Sequence, residues 1–165
     1  MAAGRYEGTL REIIHAFKYE GRRSLANSLG GMVRDAGSGV LQGCDCVVPV
    51  PLHPWRRMRR GFNQARDLAT QLDRPVVNAL WRVRATPPQM ALNANARHSN
   101  VLGAFVVSPF TCGARLHGVR FPLLEDRIVA LVDDVRTTGA TLDECAKVLL
   151  TAGAREVKAL TVALA

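Results

Sequence analysis

The chain has 165 residues, nearly half of them apolar, enough for one domain with its own core and too apolar for a disordered chain. No apolar run approaches a membrane span, and the start MAAGRYEGTLREII lacks the basic-then-apolar layout of a secretory signal, so a soluble cytoplasmic protein is expected. Lysines and arginines outnumber acids 22 to 14, for a net charge of +8, which suits anionic partners such as phosphates, pyrophosphate or nucleic acid without choosing among them.

The segment TLREIIHAFKYEGRR sets Leu10, Ile13, Ile14 and Phe17 at helical spacing, which predicts a short amphipathic helix ended by Gly21. Lys18 falls at the end of that helix, where a cation suits the dipole. Ser24 is placed to cap a second helix, with Leu25, Leu29, Met32 and Val33 on one face. RDAGSG breaks the pattern. CDCVVPVPLHP reads as a buried strand that stops at prolines and runs into a loop. WRRMRRG reads as a basic loop. Asn63 caps a further helix carrying Ala65, Leu68, Ala69 and Leu72.

RPVVNALWRVR predicts a second strand, and GAFVV a third short one. Between them, ATPPQMALNANARHSN is long, polar and proline-interrupted, the composition of a mobile loop. SPFTCGARLHGVRFPLLED is ambiguous. RIVALVDD is a fourth strand, aliphatic until its acids. A helix over 141–152 follows, with Leu142, Cys145, Ala146 and Leu149 inward and Gly153 as its stop. REVKALTVALA closes the chain as a last strand. Cys44, Cys46, Cys112 and Cys145 form no C-x-x-C pair, so a zinc ribbon is not expected, and Cys44 and Cys46 read as small apolar residues entering a strand.

Strands that are aliphatic on both faces and alternate with helices predict an α/β fold, a parallel sheet flanked by helices. The expected organisation is a single domain, with residues 1–40 as a helical hood or edge segment and 41–165 as the α/β core. In such sheets ligands bind at the carboxyl ends of the strands. VALVDDVRTTGAT lies at such an end. The turn of Thr137, Thr138, Gly139, Ala140 and Thr141 leads into a helix, so small residues let main-chain N–H groups converge where the helix end is positive. Three hydroxyls add donors. This is a cradle for a phosphate monoester. Asp133 and Asp134 would repel a phosphate met directly, but carboxylates accept hydrogen bonds from vicinal hydroxyls of a sugar. The motif therefore reads as a holder of ribose 5-phosphate, and Val135 and Arg136 join its two halves. A P-loop and a dinucleotide fingerprint are excluded because neither glycine pattern occurs.

VALVDDVRTTGAT resembles the phosphoribosyl-diphosphate (PRPP) motif of type I phosphoribosyltransferases. Together with AFKYEGRRSLA, VVPVPLHPWRRMRRGFNQARDLA, PPQMALNANARHSNV and GAF, it makes nearly the whole chain similar to the ComF family, competence protein F. The resemblance implies a parallel-sheet core with a variable hood over the acceptor site. It places the 5-phosphate on residues 137–141 and the ribose hydroxyls on Asp133 and Asp134. It makes Pro51, Leu52 and His53 the pyrophosphate loop, and residues 89–100 the flexible loop. Arg56, Arg57, Arg59, Arg60 and, from the flexible loop, Arg97 are candidates to answer the diphosphate, although four neighbouring arginines cannot all reach one ligand. His53, between prolines, is either a ligand contact or a turn residue.

Mg²⁺ is expected with PRPP rather than on direct protein ligands, with Asp133 and Asp134 reaching it through water. The acceptor is an unknown nucleobase or amine. Three readings stay open: a transferase, a non-catalytic regulator that senses PRPP or a nucleotide, and a competence accessory that handles single-stranded DNA. Competence proteins or a second copy of the chain are further partners the reading admits, and a membrane is not. Two departures stand out. The four-cysteine zinc module that opens most ComF-like proteins is not in this chain, and Arg136 stands where an aliphatic residue is usual, adding a cation beside the acids.

Overall fold

Four parallel strands stand at the centre of the computed structural model, in the order β1 (Ala2–Arg5), β6 (Glu156–Leu164), β5 (Ile128–Arg136), β2 (Cys46–Pro49). The structure describes residues 1–84, 101–108 and 124–165, with the side chains of Arg56 and Arg59 excepted. The 89–100 loop with Arg97, most of the ambiguous segment before Leu124, and Cys112 therefore lie outside the described residues. β5 and β6 pair over their full nine residues, from Ile128 beside Glu156 to Arg136 beside Leu164. The family of parallel-sheet α/β folds expected from the sequence is the fold observed.

Alternation along the strands divides the core into two layers. Ala130, Val132, Leu160 and Val162 face one way and pack with Ile14 and Phe17 of α1 (Gly8–Tyr19), Leu29 and Val33 of α2 (Leu25–Ala36), Leu41 of the short α3 (Ser38–Gln42), and Leu68 of α5 (Gln64–Ala69). Val129, Leu131, Cys46 and Val48 face the other way, onto Leu142, Cys145 and Leu149 of α6 (Ala140–Thr151) and onto Leu80 and Phe105. All of these side chains are buried. The same alternation carries to the strand's end, so Asp133 continues the Val129–Leu131 face and Asp134 the Ala130–Val132 face.

Several expectations are corrected. The predicted second and third strands do not join the parallel sheet. β3 (Leu80–Arg82) and β4 (Phe105–Val107) form a separate antiparallel ribbon, while Val76 makes one isolated bridge to Val47 at the edge of the main sheet. The reason is visible in β3: Leu80 and Arg82 are buried and Trp81 between them is exposed, a one-sided pattern unlike the two-sided burial of β2. The basic segment after the prolines is a helix, α4 (Pro54–Arg60), with Pro54 in its first turn, His53 at its N-cap and Gly61 closing it at φ 78°. β1, absent from the expected elements, is three small residues and an arginine with little strand signal; it is held by Tyr6 N–H on the Leu164 carbonyl and the Met1 ammonium on the Ala159 carbonyl, 2.8 and 2.7 Å. Ser24 has helical dihedrals and no side-chain capping bond, so α2 starts uncapped.

Candidate functional site

The carboxyl ends of β2 and β5 open into a cleft of about 1190 Å³. Its walls carry Asp133, Asp134, Val135, Arg136, Thr137, Gly139, Ala140 and Thr141 from β5 and the turn beyond it, Pro51, Leu52 and His53 from the loop after β2, and Arg60 of α4. Two stretches far apart in sequence, residues 51–60 and 133–141, thus meet at this cleft. Lys18 and Tyr19 of α1 and Arg82 of β3 also line it.

Gly139 has φ 87°, a left-handed conformation that glycine adopts without strain, and it turns the chain from β5 into α6. Asp143 N–H donates to the Gly139 carbonyl at 2.9 Å, which closes the first helical turn. The main-chain N–H groups of Thr137, Thr138 and Gly139 donate to no carbonyl or side chain among the described residues. Unpartnered amides at the start of a twelve-residue helix are chemically suited to an anion. Thr138 turns its hydroxyl back onto Ala140 N–H at 3.5 Å and does not line the cleft. Arg136 lies over the turn: its Nε is 3.5 Å from where a Cβ on Gly139 would stand. Its cation thus lies beside the turn into α6.

The adjacent acids have different neighbours because they leave β5 on opposite faces. Asp134 meets Lys18 from α1, Oδ1 to Nζ 2.9 Å, with 13% and 16% of the two side chains exposed. Burial works against the Lys18 charge, but the charge of Asp134 and its hydrogen bond outweigh it and raise the lysine's pKa. Lys18 sits in the last turn of α1 as expected from the helix dipole, and its ammonium has this second, specific partner. Asp133 accepts from Asp134 N–H at 2.8 Å. Burial, and then the charge of Asp134, push the Asp133 carboxyl up to about 7, against the opposing pull of that N–H, Lys18 and Arg82.

Like Tyr19, Arg82 is a site residue that sequence reasoning missed. It is 6% exposed, its guanidinium lies 5.2 Å from the Phe105 ring centre, and it lines the cleft on the Asp133 side. The available signal was an arginine in the apolar run ALWRV, since a buried arginine is seldom found without a charged or polar task. His53 is a turn residue that also lines the cleft: its Nδ1 accepts from Trp55 N–H at 3.3 Å as the N-cap of α4. Of the four neighbouring arginines, Arg60 enters the cleft, and Arg57 borders a separate hollow with Arg23 and Arg66. Arg60 donates to Tyr19 Oη and Gln64 Oε1, each at 3.3 Å.

Asn63 fastens the floor. Its Oδ1 accepts from Ala65 N–H and its Nδ2 donates to the Val50 carbonyl, both at 3.1 Å, so α5 is tied to the end of β2. Asn63→Ala removes a cap and leaves a half-buried carbonyl without this donor, and is expected to cost about 1.5 kcal/mol in chemical denaturation.

Residues 58–165 match the family model described as the phosphoribosyl transferase domain. Competence protein F of Haemophilus influenzae is 37% identical over 165 residues, 94% of this chain and 68% of that protein. The chain belongs to the ComF family of phosphoribosyltransferase-like proteins. Within that family, the DNA utilization protein YhgH of Escherichia coli K12 is 34% identical, over 93% of this chain and 66% of its own length. Competence protein ComFC of Bacillus subtilis is 30% identical, over 90% and 56%. This ComF chain spans about two thirds of the length of the first two and less of the third. Among the described residues, no helix is long and apolar enough to cross a membrane.

Proposed function

We propose that this ComF protein binds PRPP and transfers its ribose 5-phosphate to a nucleobase or amine, releasing pyrophosphate. The observation that carries the reading is that Thr137 and Gly139, whose main-chain amides have no partner among the described residues, line the same cleft as Asp133 and Asp134. The 5-phosphate sits on those amides, with Arg136 above it. The ribose hydroxyls donate to the two carboxylates. The diphosphate lies toward Pro51–His53, where Arg60 and Lys18 stand within the same walls.

Breaking the bond from ribose C1 to the diphosphate builds positive charge on the sugar and negative charge on the leaving group. No protein nucleophile is required. Asp133 and Asp134 favour the developing cation, Arg60, Lys18 and Arg82 favour the departing anion, and the cleft walls hold the acceptor in line and limit water. Mg²⁺, when bound with the diphosphate, supplies further neutralisation of the leaving group. The donor set suits such an ion: among the described residues the cleft offers the carboxyls of Asp133 and Asp134 alone, too few for a dedicated protein cage, which fits a cation that keeps its waters and takes the ligand's own oxygens.

The names of the relatives, competence and DNA utilization, support a role in DNA uptake, with competence proteins and single-stranded DNA as partners of the whole protein. A second reading is a PRPP or nucleotide sensor without turnover. It is favoured by one feature, that Asp134 and Arg60 already have protein partners, so binding would rearrange contacts of α1. Incubation with PRPP, Mg²⁺ and a panel of bases and amines separates the two. Pyrophosphate release well above that of the Asp133→Asn/Asp134→Asn double variant supports transfer. Binding without release supports the sensor.

A further inference from the structure

Three consecutive residues at the end of α1 touch three walls of the cleft. Phe17 is fully buried and sets its ring 5.7 Å from that of Phe62, between α4 and α5. Lys18 reaches Asp134 on β5. Tyr19 meets Arg60 of α4 through its hydroxyl, at 3.3 Å, and through its ring, with the guanidinium carbon 4.9 Å from the centroid. Phe17 and, one turn earlier, Ile14 anchor the helix in the core, so the two polar contacts are held by a fixed backbone rather than by a loose end.

Those contacts engage the two groups on which the proposed reading makes its largest demands. Asp134 is to accept from the sugar hydroxyls and Arg60 is to meet the diphosphate. We infer that Lys18 and Tyr19 are further ligand-exchange residues of this site: each holds a group that the sugar diphosphate must take, and binding transfers Lys18 from Asp134 to the diphosphate while releasing Arg60 from Tyr19. The inference rests on the PRPP reading. Charge balance supports the direction of the exchange. A buried ammonium cannot be left without an anion, and a diphosphate arriving next to it is the anion. Asp134 in turn trades one cation for hydroxyl donors. Arg60 gains a charged partner in place of a phenol. The side chains alone need to move, since Phe17 keeps the helix seated.

Half-ligands separate the exchange from the sugar-phosphate reading. Ribose 5-phosphate carries the diol and the 5-phosphate, and Mg²⁺-pyrophosphate carries the leaving group. With the intact protein, nuclear magnetic resonance follows the Thr137–Gly139 amides, the Lys18 ammonium nitrogen, assigned with Lys18→Arg, and the Tyr19 ring carbon that bears the hydroxyl, assigned with Tyr19→Phe. Ribose 5-phosphate is expected to shift the amides and leave Lys18 and Tyr19 in place. Mg²⁺-pyrophosphate is expected to shift Lys18 and Tyr19. Tyr19→Phe, which keeps the ring but drops the competing hydroxyl, is expected to tighten Mg²⁺-pyrophosphate binding about threefold. Lys18 that stays in place with Mg²⁺-pyrophosphate, or Tyr19→Phe that leaves pyrophosphate binding unchanged or weaker, overturns the exchange and, where the amides answer ribose 5-phosphate, leaves the sugar-phosphate reading standing. Amides that do not respond to ribose 5-phosphate remove that reading, and the exchange with it.

Discussion

Asp133→Asn and Asp134→Asn are expected to change the stability of the ligand-free protein in opposite directions at pH 8. Asp133 has its carboxyl raised to about 7, by burial first and by the charge of Asp134 second. A group whose folded pKa exceeds its unfolded value contributes stability that is complete below the unfolded value, here about 3.8, and is lost as pH rises through the folded one. At pH 8 the ionised carboxylate is therefore a cost. Asparagine keeps the oxygen that accepts from Asp134 N–H and carries no charge. The gain is on the order of 2 kcal/mol at pH 8 and vanishes near pH 4. Asp134→Asn does the reverse. It leaves Lys18 in a mostly buried position without its carboxylate, and a loss of about 3 kcal/mol is expected. Urea titrations at pH 4, 6 and 8 read both. Equal effects of the two substitutions would contradict the assignment of separate environments to neighbouring acids.

The affinity for PRPP with Mg²⁺ is expected to rise about tenfold from pH 6 to pH 8. Sugar hydroxyls donate best to an ionised carboxylate, and below about 7 Asp133 holds a proton that must leave first, at a cost of tenfold per pH unit. Asp133→Asn removes that proton from the cycle. The variant binds more weakly, and the part of the pH slope due to Asp133 disappears, which separates it from titration of the ligand's own phosphates. Calorimetry at fixed free Mg²⁺ across pH 5.5–8.5 checks this, and an identical slope in the variant would contradict it.

Much of this site is legible in local sequence because its central part is local. The aliphatic run of β5, the paired acids and the small-residue turn are contiguous, and periodicity fixes both the strand before them and the helix after them. What local pattern does not carry is which face each acid takes relative to its neighbours. Two adjacent carboxylates read as one unit until the sheet assigns Asp133 to the Arg82 side and Asp134 to the Lys18 side. Lys18 is an ordinary helix-end cation in sequence, and only the packing of α1 on β5 makes it an ion-pair partner of the site. Arg82 is hidden for a related reason. Its strand was expected in the parallel sheet, whereas the β3–β4 ribbon turns it toward the cleft. α4 was recoverable from Pro54 at the start and Gly61 at the stop, but four arginines in seven residues outweighed those signals. β1 had no signal to recover. Its small residues become a strand because β6 offers an edge.

The central claim is that the turn between β5 and α6 holds a sugar phosphate while the acids before it hold the sugar. Isothermal titration of the protein with PRPP and Mg²⁺, alongside Gly139→Val and the Asp133→Asn/Asp134→Asn double variant, tests it most directly. A β-branched residue cannot take φ 87° without strain, so Gly139→Val disrupts the amide cradle while leaving the carboxylates in place. One-site binding that weakens at least a hundredfold in each variant is the predicted result. Absence of binding to the unaltered protein, or equal binding by all three, would contradict the account.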